Sequence, residues 1–162
     1  MLKSVDRRTV VIGMAALAAS NQFAFAQTTH NVEMLNKHPE DKKRRMVFHP
    51  LIHVVEPGDT VKFQPVDKGH NTVSIDGMLP DGVEPWKSKI NQEFDLVVEK
   101  PGVYGYLCQP HATLGMVGLI IVKGEGMTDN LEAAQAVKQR GRAKKVWKEI
   151  WATVEQENLL SA

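Results

Sequence analysis

One short segment of the chain combines three side chains that bind soft metal ions. Cys108 is followed by His111 three residues later, and Met116 stands five residues after His111. A thiolate, an imidazole and a thioether select copper over calcium or magnesium, which prefer oxygen ligands. Pro110 and Gly115 lie inside the segment, where they suit a tight turn. We interpret this segment as a copper-binding loop.

A further histidine is needed, because a blue-copper site joins two imidazoles to one thiolate, with methionine as a weak axial ligand. His70 is the candidate, since Gly69 and Asn71 place it at a turn that leads into a predicted strand. We interpret the other histidines as surface or packing residues: His30, His38, His49 and His53. No catalytic residue is predicted, and the predicted metal ligands are His70, Cys108, His111 and Met116.

Each of these residues also has an ordinary structural interpretation. Taken alone, Cys108 or Met116 is typical of a protein core, and His70 is typical of a turn. Cys108 is the only cysteine, so it is buried and inert, linked to another chain, or protected by a bound metal. The combination of cysteine, histidine and methionine in one loop favours the metal. Zinc is an alternative occupant, although closed zinc sites more often contain two or four cysteines.

The first residues have the organisation of a secretory signal peptide. A basic start precedes an apolar run over residues 10–19, and residues 24–26 form a small-residue cleavage pattern. The run is shorter than the ~20 residues that span a membrane, and a buried N-terminal helix is the alternative. We predict residues 1–26 as the signal peptide, exported by the twin-arginine or the general secretory route. Residues 27–162 then form a single domain, too weakly charged for bulk nucleic-acid binding.

Strand-forming segments recur between turn signals such as Pro57-Gly58-Asp59 and Pro101-Gly102. Short strands without intervening helices favour an antiparallel sandwich or barrel. For residues 78–91 we predict a long loop with a short helical turn. The predicted strands are His30–Asn36, Met46–Phe48, Ile52–Val55, Thr60–Gln64, Asn71–Ile75, Phe94–Glu99, Val103–Leu107 and Val117–Lys123.

The pattern changes to helical periodicity after Gly126. We predict one helix over Asn130–Lys138 and a second over Ala143–Glu157, with Gly141 breaking them apart. The second helix carries its large apolar residues on one face. We interpret that face as packing against the sandwich, and binding of a partner is the alternative.

The sequence resembles the pseudoazurins, type 1 copper proteins of the cupredoxin fold, from about Val32 through the C-terminal helices. Plastocyanins share the ligand spacing of the loop but lack the two helices. The departures from the pseudoazurin pattern are Leu107, Ala112, Leu114 and a small insertion at residues 41–45. The resemblance is carried by Met34-Leu35-Asn36-Lys37, Met46-Val47-Phe48, Pro57-Gly58-Asp59-Thr60-Val61, Asp67-Lys68-Gly69-His70-Asn71, Gly77-Met78-Leu79-Pro80-Asp81-Gly82, Lys87-Ser88-Lys89-Ile90-Asn91, Pro101-Gly102-Val103-Tyr104-Gly105 and Gly115-Met116-Val117-Gly118.

The resemblance implies an all-β, cupredoxin-like Greek-key β-sandwich of about eight strands, with two C-terminal α-helices at about residues 128–157. It implies one copper ion, cycling between Cu(I) and Cu(II), on the four predicted ligands. It places Met46 near the ring of His111, and Asn71 where it ties the two ligand segments together. It also implies a monomeric periplasmic one-electron carrier, not an enzyme, that pairs transiently with a copper nitrite reductase, another periplasmic reductase or a cytochrome.

The neighbours of His111 predict a docking surface for such a partner. The ring edge of His111 is expected at the surface within an apolar patch, and lysines around the patch would steer an acidic partner. Residues 42–45 are a weaker docking candidate. The predicted docking residues are Lys37, Lys68, Lys87, Lys89, Pro110, Ala112 and Leu114.

Two other functions compete with electron transfer. A protein that delivers or buffers copper is expected to expose exchangeable ligands in methionine- or histidine-rich stretches, and the chain has no such stretch. An enzyme needs an open coordination position for its substrate, which a four-ligand site does not leave. We therefore favour an electron carrier.

Overall fold

The computed structural model describes residues 27–161, which form eight strands, two α-helices and one 3-10 helix. The 3-10 helix Gln109–Leu114 lies between the last two strands. Numbered in chain order, the elements are β1 Thr29–Lys37, β2 Arg45–His49, β3 Ile52–Val55, β4 Thr60–Gln64, β5 Val73–Ser74, β6 Phe94–Val97, β7 Gly102–Leu107, β8 Val117–Val122, α1 Leu131–Ala136 and α2 Ala143–Gln156.

The strands form two four-stranded sheets, one in the order β2-β1-β4-β6 and the other in the order β3-β8-β7-β5. Apolar side chains such as Val32, Phe63 and Ile120 are buried in one cluster between them. The predicted β-sandwich with two C-terminal helices is confirmed. The expectation of purely antiparallel pairing is wrong, because β1 runs parallel to β4 and β3 runs parallel to β8.

The observed strand bounds follow the alternation of apolar and polar residues in the sequence. β3 and β4 have the predicted bounds, and β4 alternates between half-buried and buried positions, as a strand with one covered face should. β5 is shorter than predicted, with two residues. The short helical turn expected in residues 78–91 is absent from that stretch, which is irregular apart from a bridge between Val73 and Lys87.

The second helix covers the outer face of the sheet that contains β8. Ala143, Trp147, Ile150 and Val154 are buried in one cluster with apolar residues of β8. The packing interpretation of this face is therefore confirmed. α1 ends two residues earlier than predicted, and Gly141 has the positive φ of 57° that lets the chain turn before α2.

The predicted signal peptide, residues 1–26, lies outside the described residues. Within residues 27–161, neither helix has the length and apolar character needed to cross a membrane.

Candidate metal centre

The loop between β7 and β8 is closed by backbone hydrogen bonds. The amide of Cys108 donates to the carbonyl of Met116 at 2.9 Å, and the amide of Met116 donates to the carbonyl of His111 at 3.2 Å. Pro110 stands in the first turn of the 3-10 helix, and Gly115 ends that helix with a φ of 96°. Because Gly115 adopts a left-handed conformation without strain, the chain reverses within a few residues and holds Cys108 beside His111.

Three predicted ligands converge at this loop. Nδ1 of His70 lies 3.1 Å from Nδ1 of His111 and 3.7 Å from Sγ of Cys108. Sγ of Cys108 lies 3.5 Å from Nδ1 of His111. A point equidistant from the three atoms is about 2.0 Å from each, which is close to metal–imidazole bond lengths and slightly short for metal–thiolate bonds. The three atoms therefore form a trigonal donor set of the size that a copper ion fits.

His70 is fully buried, and its second nitrogen has a defined partner. Nε2–H of His70 donates a hydrogen bond to Oδ1 of Asn36 at 3.1 Å, which leaves Nδ1 free to bind a metal. Burial and the neighbouring His111 lower the pKa of His70, an effect that Asp67 opposes. The lowered pKa of His70 favours its neutral form, which is the form that binds metals.

The thiol of Cys108 is fully buried and accepts hydrogen bonds from the chain around it. Burial raises the pKa of Cys108, and hydrogen bonds from the backbone amides of Asn71 and His111 oppose that rise. Because metal binding requires the thiolate, these two amides stabilise the charge that a bound cation would also stabilise.

The side chain of Asn71 joins the two ligand segments. Its Oδ1 accepts a hydrogen bond of 2.9 Å from the amide of Gln109, directly after Cys108. Its Nδ2 donates to the carbonyl of Ser88 at 3.3 Å. Asn71 is buried, and its two bonds fix the loop relative to the segment that carries His70.

His111 differs from His70 in its exposure. His111 is half-buried, and its Nε2 has no protein hydrogen-bond partner in residues 27–161 and is not among the buried unpaired atoms there. A Cβ built on Gly69 would lie 3.9 Å from Cε1 of His111, so the absence of a side chain there leaves room beside the ring. His111 is thus the predicted ligand whose ring reaches from the site toward solvent.

The two methionines lie in the apolar core beside this cluster. Met116 is fully buried in the same cluster of side chains as Cys108, and Met46 packs against that cluster. Met46 has a φ of 53°, an unusual conformation for a residue other than glycine.

The predicted docking residues differ in their exposure to solvent. The four lysines are exposed, as are Pro110 and Leu114, whereas Ala112 is half-buried. Leu114 is 47% exposed, which is high for a leucine. Pro110 and Leu114 thus leave apolar side chains exposed on the loop that carries His111.

The remaining histidines do not form a second metal cluster. In the part of the chain that the structure describes, His70, Cys108 and His111 are the only group of three or more such residues with ligand atoms within 4.8 Å of one another. His30 pairs with Asp59 at 2.8 Å, and the rings of His38 and His49 contact edge-to-face at 4.9 Å. This agrees with their interpretation as surface or packing residues.

Sequence reasoning did not assign a role to Asn36. Its partner His70 lies 34 residues further along the chain, so no local spacing indicates their hydrogen bond. The available signal was the position of Asn36 inside the Met34–Lys37 motif.

A β-sandwich with a buried cysteine and two histidines converging at one end defines a copper protein of the cupredoxin class. A family profile described as copper binding proteins, plastocyanin/azurin family, matches residues 34–123. The pseudoazurin of Paracoccus pantotrophus is 46% identical over 130 residues, which cover 80% of this chain and 86% of that protein. The pseudoazurin of Methylorubrum extorquens is 37% identical over 151 residues, which cover 93% of this chain and 99% of that protein.

A solved pseudoazurin structure from Sinorhizobium meliloti has a TM-score of 0.74 and 43% identity to this chain, covering 80% of this chain and 98% of that one. The chain belongs to the pseudoazurins. It is a blue copper electron carrier and not an enzyme, its cofactor is one copper ion, and it pairs transiently with redox partners.

Proposed function

We propose that the chain carries single electrons in the periplasm, with copper held by His70, Cys108, His111 and Met116. The observation that supports this most is the convergence of two imidazole nitrogens and one thiolate sulfur in one buried cluster. Bound there, copper supplies reversible one-electron exchange. Met116 would supply the thioether, since it is buried in the same apolar cluster as Cys108.

The protein's own contribution is to hold these side chains still. Asn36 orients His70, and Asn71 links the segment of His70 to the loop of Cys108. Two backbone amides bond to the sulfur of Cys108 and lower the energy of its charged form. Ligands fixed by such bonds move little between oxidation states, which favours fast transfer, and the bonds to sulfur tune the reduction potential.

His111 would be the point where the electron enters and leaves. Its ring is half-buried, and Nε2 faces no protein partner in the described chain. Pro110, Ala112 and Leu114 would form the apolar patch that contacts a partner around this ring. Such a small patch suits an encounter that must end soon after transfer.

The four predicted lysines would steer an acidic partner such as a copper nitrite reductase toward this patch. Each lysine is next in sequence to a residue that takes part in the hydrogen bonds around the segment of His70. Lys37 follows Asn36, and Lys68 precedes Gly69, whose amide donates to Asn91. Lys87 and Lys89 flank Ser88, whose carbonyl accepts from Asn71.

Export follows from the organisation of the N-terminal sequence. Residues 1–26 would be removed as a signal peptide, leaving residues 27–162 as a single monomeric cupredoxin domain. An oxidising compartment agrees with a lone cysteine that is protected by a metal. Mass spectrometry of the protein purified from the periplasm tests the cleavage position, and a mature form that keeps residue 1 would contradict it.

Copper loading tests the proposed site. We expect the purified protein to become intensely blue with one equivalent of Cu(II) and to lose the colour on taking up one electron. Cys108→Ser should bind copper without turning blue, since the thiolate is lost. A colourless wild-type protein, or rapid loss of copper to a weak chelator, would instead favour the copper-delivery alternative.

Charge reversal tests the steering. Lys68→Glu and Lys87→Glu should slow electron transfer to a copper nitrite reductase and flatten its dependence on salt, because attraction before contact is reduced. Lys138→Glu is the matched control, since it makes the same change in charge on an exposed lysine outside the predicted docking set. Equal electron-transfer rates for all three variants would contradict the proposal that these lysines steer the partner.

A further inference from the structure

Four consecutive cations, Lys42 to Arg45, lie in the turn between β1 and β2 and at the first residue of β2. This turn is ordered by its own hydrogen bonds. The amide of Arg44 donates to the carbonyl of Asp41, and the amide of His38 donates to the carbonyl of Arg44, each at 3.0 Å. The amide of Lys43 donates to Oδ1 of Asp41, also at 3.0 Å. The backbone that carries these positive charges is therefore held in a defined conformation.

A salt bridge fastens this turn to α2. Nη1 of Arg44 lies 2.8 Å from Oε1 of Glu149, 105 residues further along the chain. The bridge brings the turn beside the first half of α2, which is itself basic. The acidic side chain nearest to the turn on this helix is thus already paired, and its charge is compensated.

A groove of about 390 Å³ runs between the turn and α2. Asp41 and Glu149 are the only acidic residues in its lining. Leu114 and Gly115 of the ligand loop line it as well, so the groove ends beside the metal centre. Its lining contains five cationic residues, which are Lys43, Arg44, Arg45, Arg142 and Lys145.

The groove is tied directly to the ligand loop. The amide of Arg142, at the start of α2, donates to the carbonyl of Thr113 at 2.9 Å. A Cβ built on Gly115 would lie 3.0 Å from Val146 and 3.4 Å from Arg142, so α2 and the loop are in close contact. A partner segment seated in the groove would consequently be positioned at a fixed distance from His111.

We propose that this basic groove, lined by Lys43, Arg45, Arg142 and Lys145, docks an acidic surface segment of the redox partner. The proposal rests on the proposed electron-carrier function and extends the contact area beyond the apolar patch. The lining holds five cations against two acids, whereas the whole chain has a formal net charge of only +1. The exposed Leu114 at the end of the groove adds an apolar contact for the same segment. Charge complementarity therefore selects an acidic peptide segment.

The test uses the copper-loaded protein, labelled with ¹⁵N, in its reduced form, with a twelve-residue Glu/Leu peptide as the probe. Amide shifts should be concentrated at the turn, at the start of α2 and at Leu114. The double variant Lys43→Glu/Lys145→Glu should weaken binding by about tenfold, because two attractive charges become repulsive.

The matched control is Lys42→Glu/Lys148→Glu, which makes the same change in net charge. Lys42 belongs to the same turn and Lys148 to the same helix, but neither lines the groove. This control should bind the peptide nearly as well as the wild type. Equal weakening in both double variants would overturn the proposal, since binding would then reflect net charge alone.

Three further outcomes would overturn it. Amide shifts centred on Lys68, Lys87 and Lys89 would place the peptide elsewhere. Inorganic phosphate alone could shift the groove amides while the peptide does not, which would indicate a small-anion site. Vesicles of phosphatidylglycerol could bind while the peptide does not, which would indicate a lipid surface. The blue colour and one-electron bleaching of each variant are measured separately, so a failed copper site is distinguished from a failed groove.

Discussion

Oδ1 of Asn36 lies 3.1 Å from Nε2 of His70, and this hydrogen bond connects β1 to the segment that leads into β5. Asn36 stands on β1 of one sheet, whereas His70 precedes β5 of the other. A buried histidine without such a partner could exchange the proton between its two nitrogens. The bond therefore selects the tautomer in which Nδ1 points at Cys108 without a proton.

Replacement of Asn36 should weaken the metal site. In Asn36→Leu, the Nε2–H of His70 loses its acceptor, and we expect copper affinity to fall by about 10–100-fold. Competition with a Cu(I) chelator measures the affinity, and ¹⁵N NMR of the imidazole reports the tautomer. Asn36→Asp keeps an acceptor oxygen and should retain most of the affinity. Unchanged affinity and tautomer in Asn36→Leu would show that the bond has no role in ligation.

Replacement of Asn71 should destabilise the fold as well as the site. Asn71→Ala leaves the part-buried amide of Gln109 without its partner, and we expect a loss of about 2 kcal/mol in the free energy of unfolding. Urea unfolding of the copper-free protein measures this loss. Asn31→Ala, on an exposed position of β1, should change stability by less than about 0.5 kcal/mol. Similar losses in both variants would argue against the bridging role.

Protonation of His53 should destabilise the protein in acid. Burial, together with His30 and His49, lowers the pKa of His53 from 6.5 to about 4. Its Nε2 is buried without a partner in the described chain. Because the pKa is lower in the folded state, the unfolded chain binds the proton first, and stability is lost as the pH falls from 6.5 to about 4.

The contribution of His53 amounts to at most about 3 kcal/mol over this range. Urea unfolding of the copper-free protein between these pH values measures it. His53→Leu removes the titrating group and should show a shallower slope than the wild type. The same slope in both proteins would assign the acid sensitivity to other groups.

Two buried tyrosines of β7 should respond oppositely to loss of their hydroxyl groups. The hydroxyl of Tyr104 donates to the carbonyl of Lys100 at 2.6 Å. The hydroxyl of Tyr106 is buried without a hydrogen-bond partner among the residues described, and burial raises its pKa. Tyr104→Phe should therefore lower the free energy of unfolding by about 1 kcal/mol, and Tyr106→Phe should raise it by a similar amount.

Thermal or urea unfolding of the two variants, compared with the wild type, measures these changes. Each variant is the control for the other, since both remove one oxygen from the same strand. A loss of stability in Tyr106→Phe comparable to that in Tyr104→Phe would reveal a partner for the Tyr106 hydroxyl.

Much of the fold could be predicted from local patterns. β3 and β4 have the predicted bounds, because their apolar alternation and flanking turn residues lie within a few positions of one another. The parallel pairing of β1 with β4 was not predictable in the same way. It depends on how the sheets close around a shared core, and no local signal distinguishes a parallel from an antiparallel neighbour.

The sequence by itself determined the chemistry of the centre, since Cys108, His111 and Met116 lie within one loop whose spacing is a local property. Only the tertiary structure decided which other residues act on that loop. Asn36 of β1 meets His70, 34 residues further along the chain, and Arg44 meets Glu149 across 105 residues. Such contacts form when the sandwich and α2 pack together, because burial of apolar surface brings distant segments to positions that their own sequences do not specify.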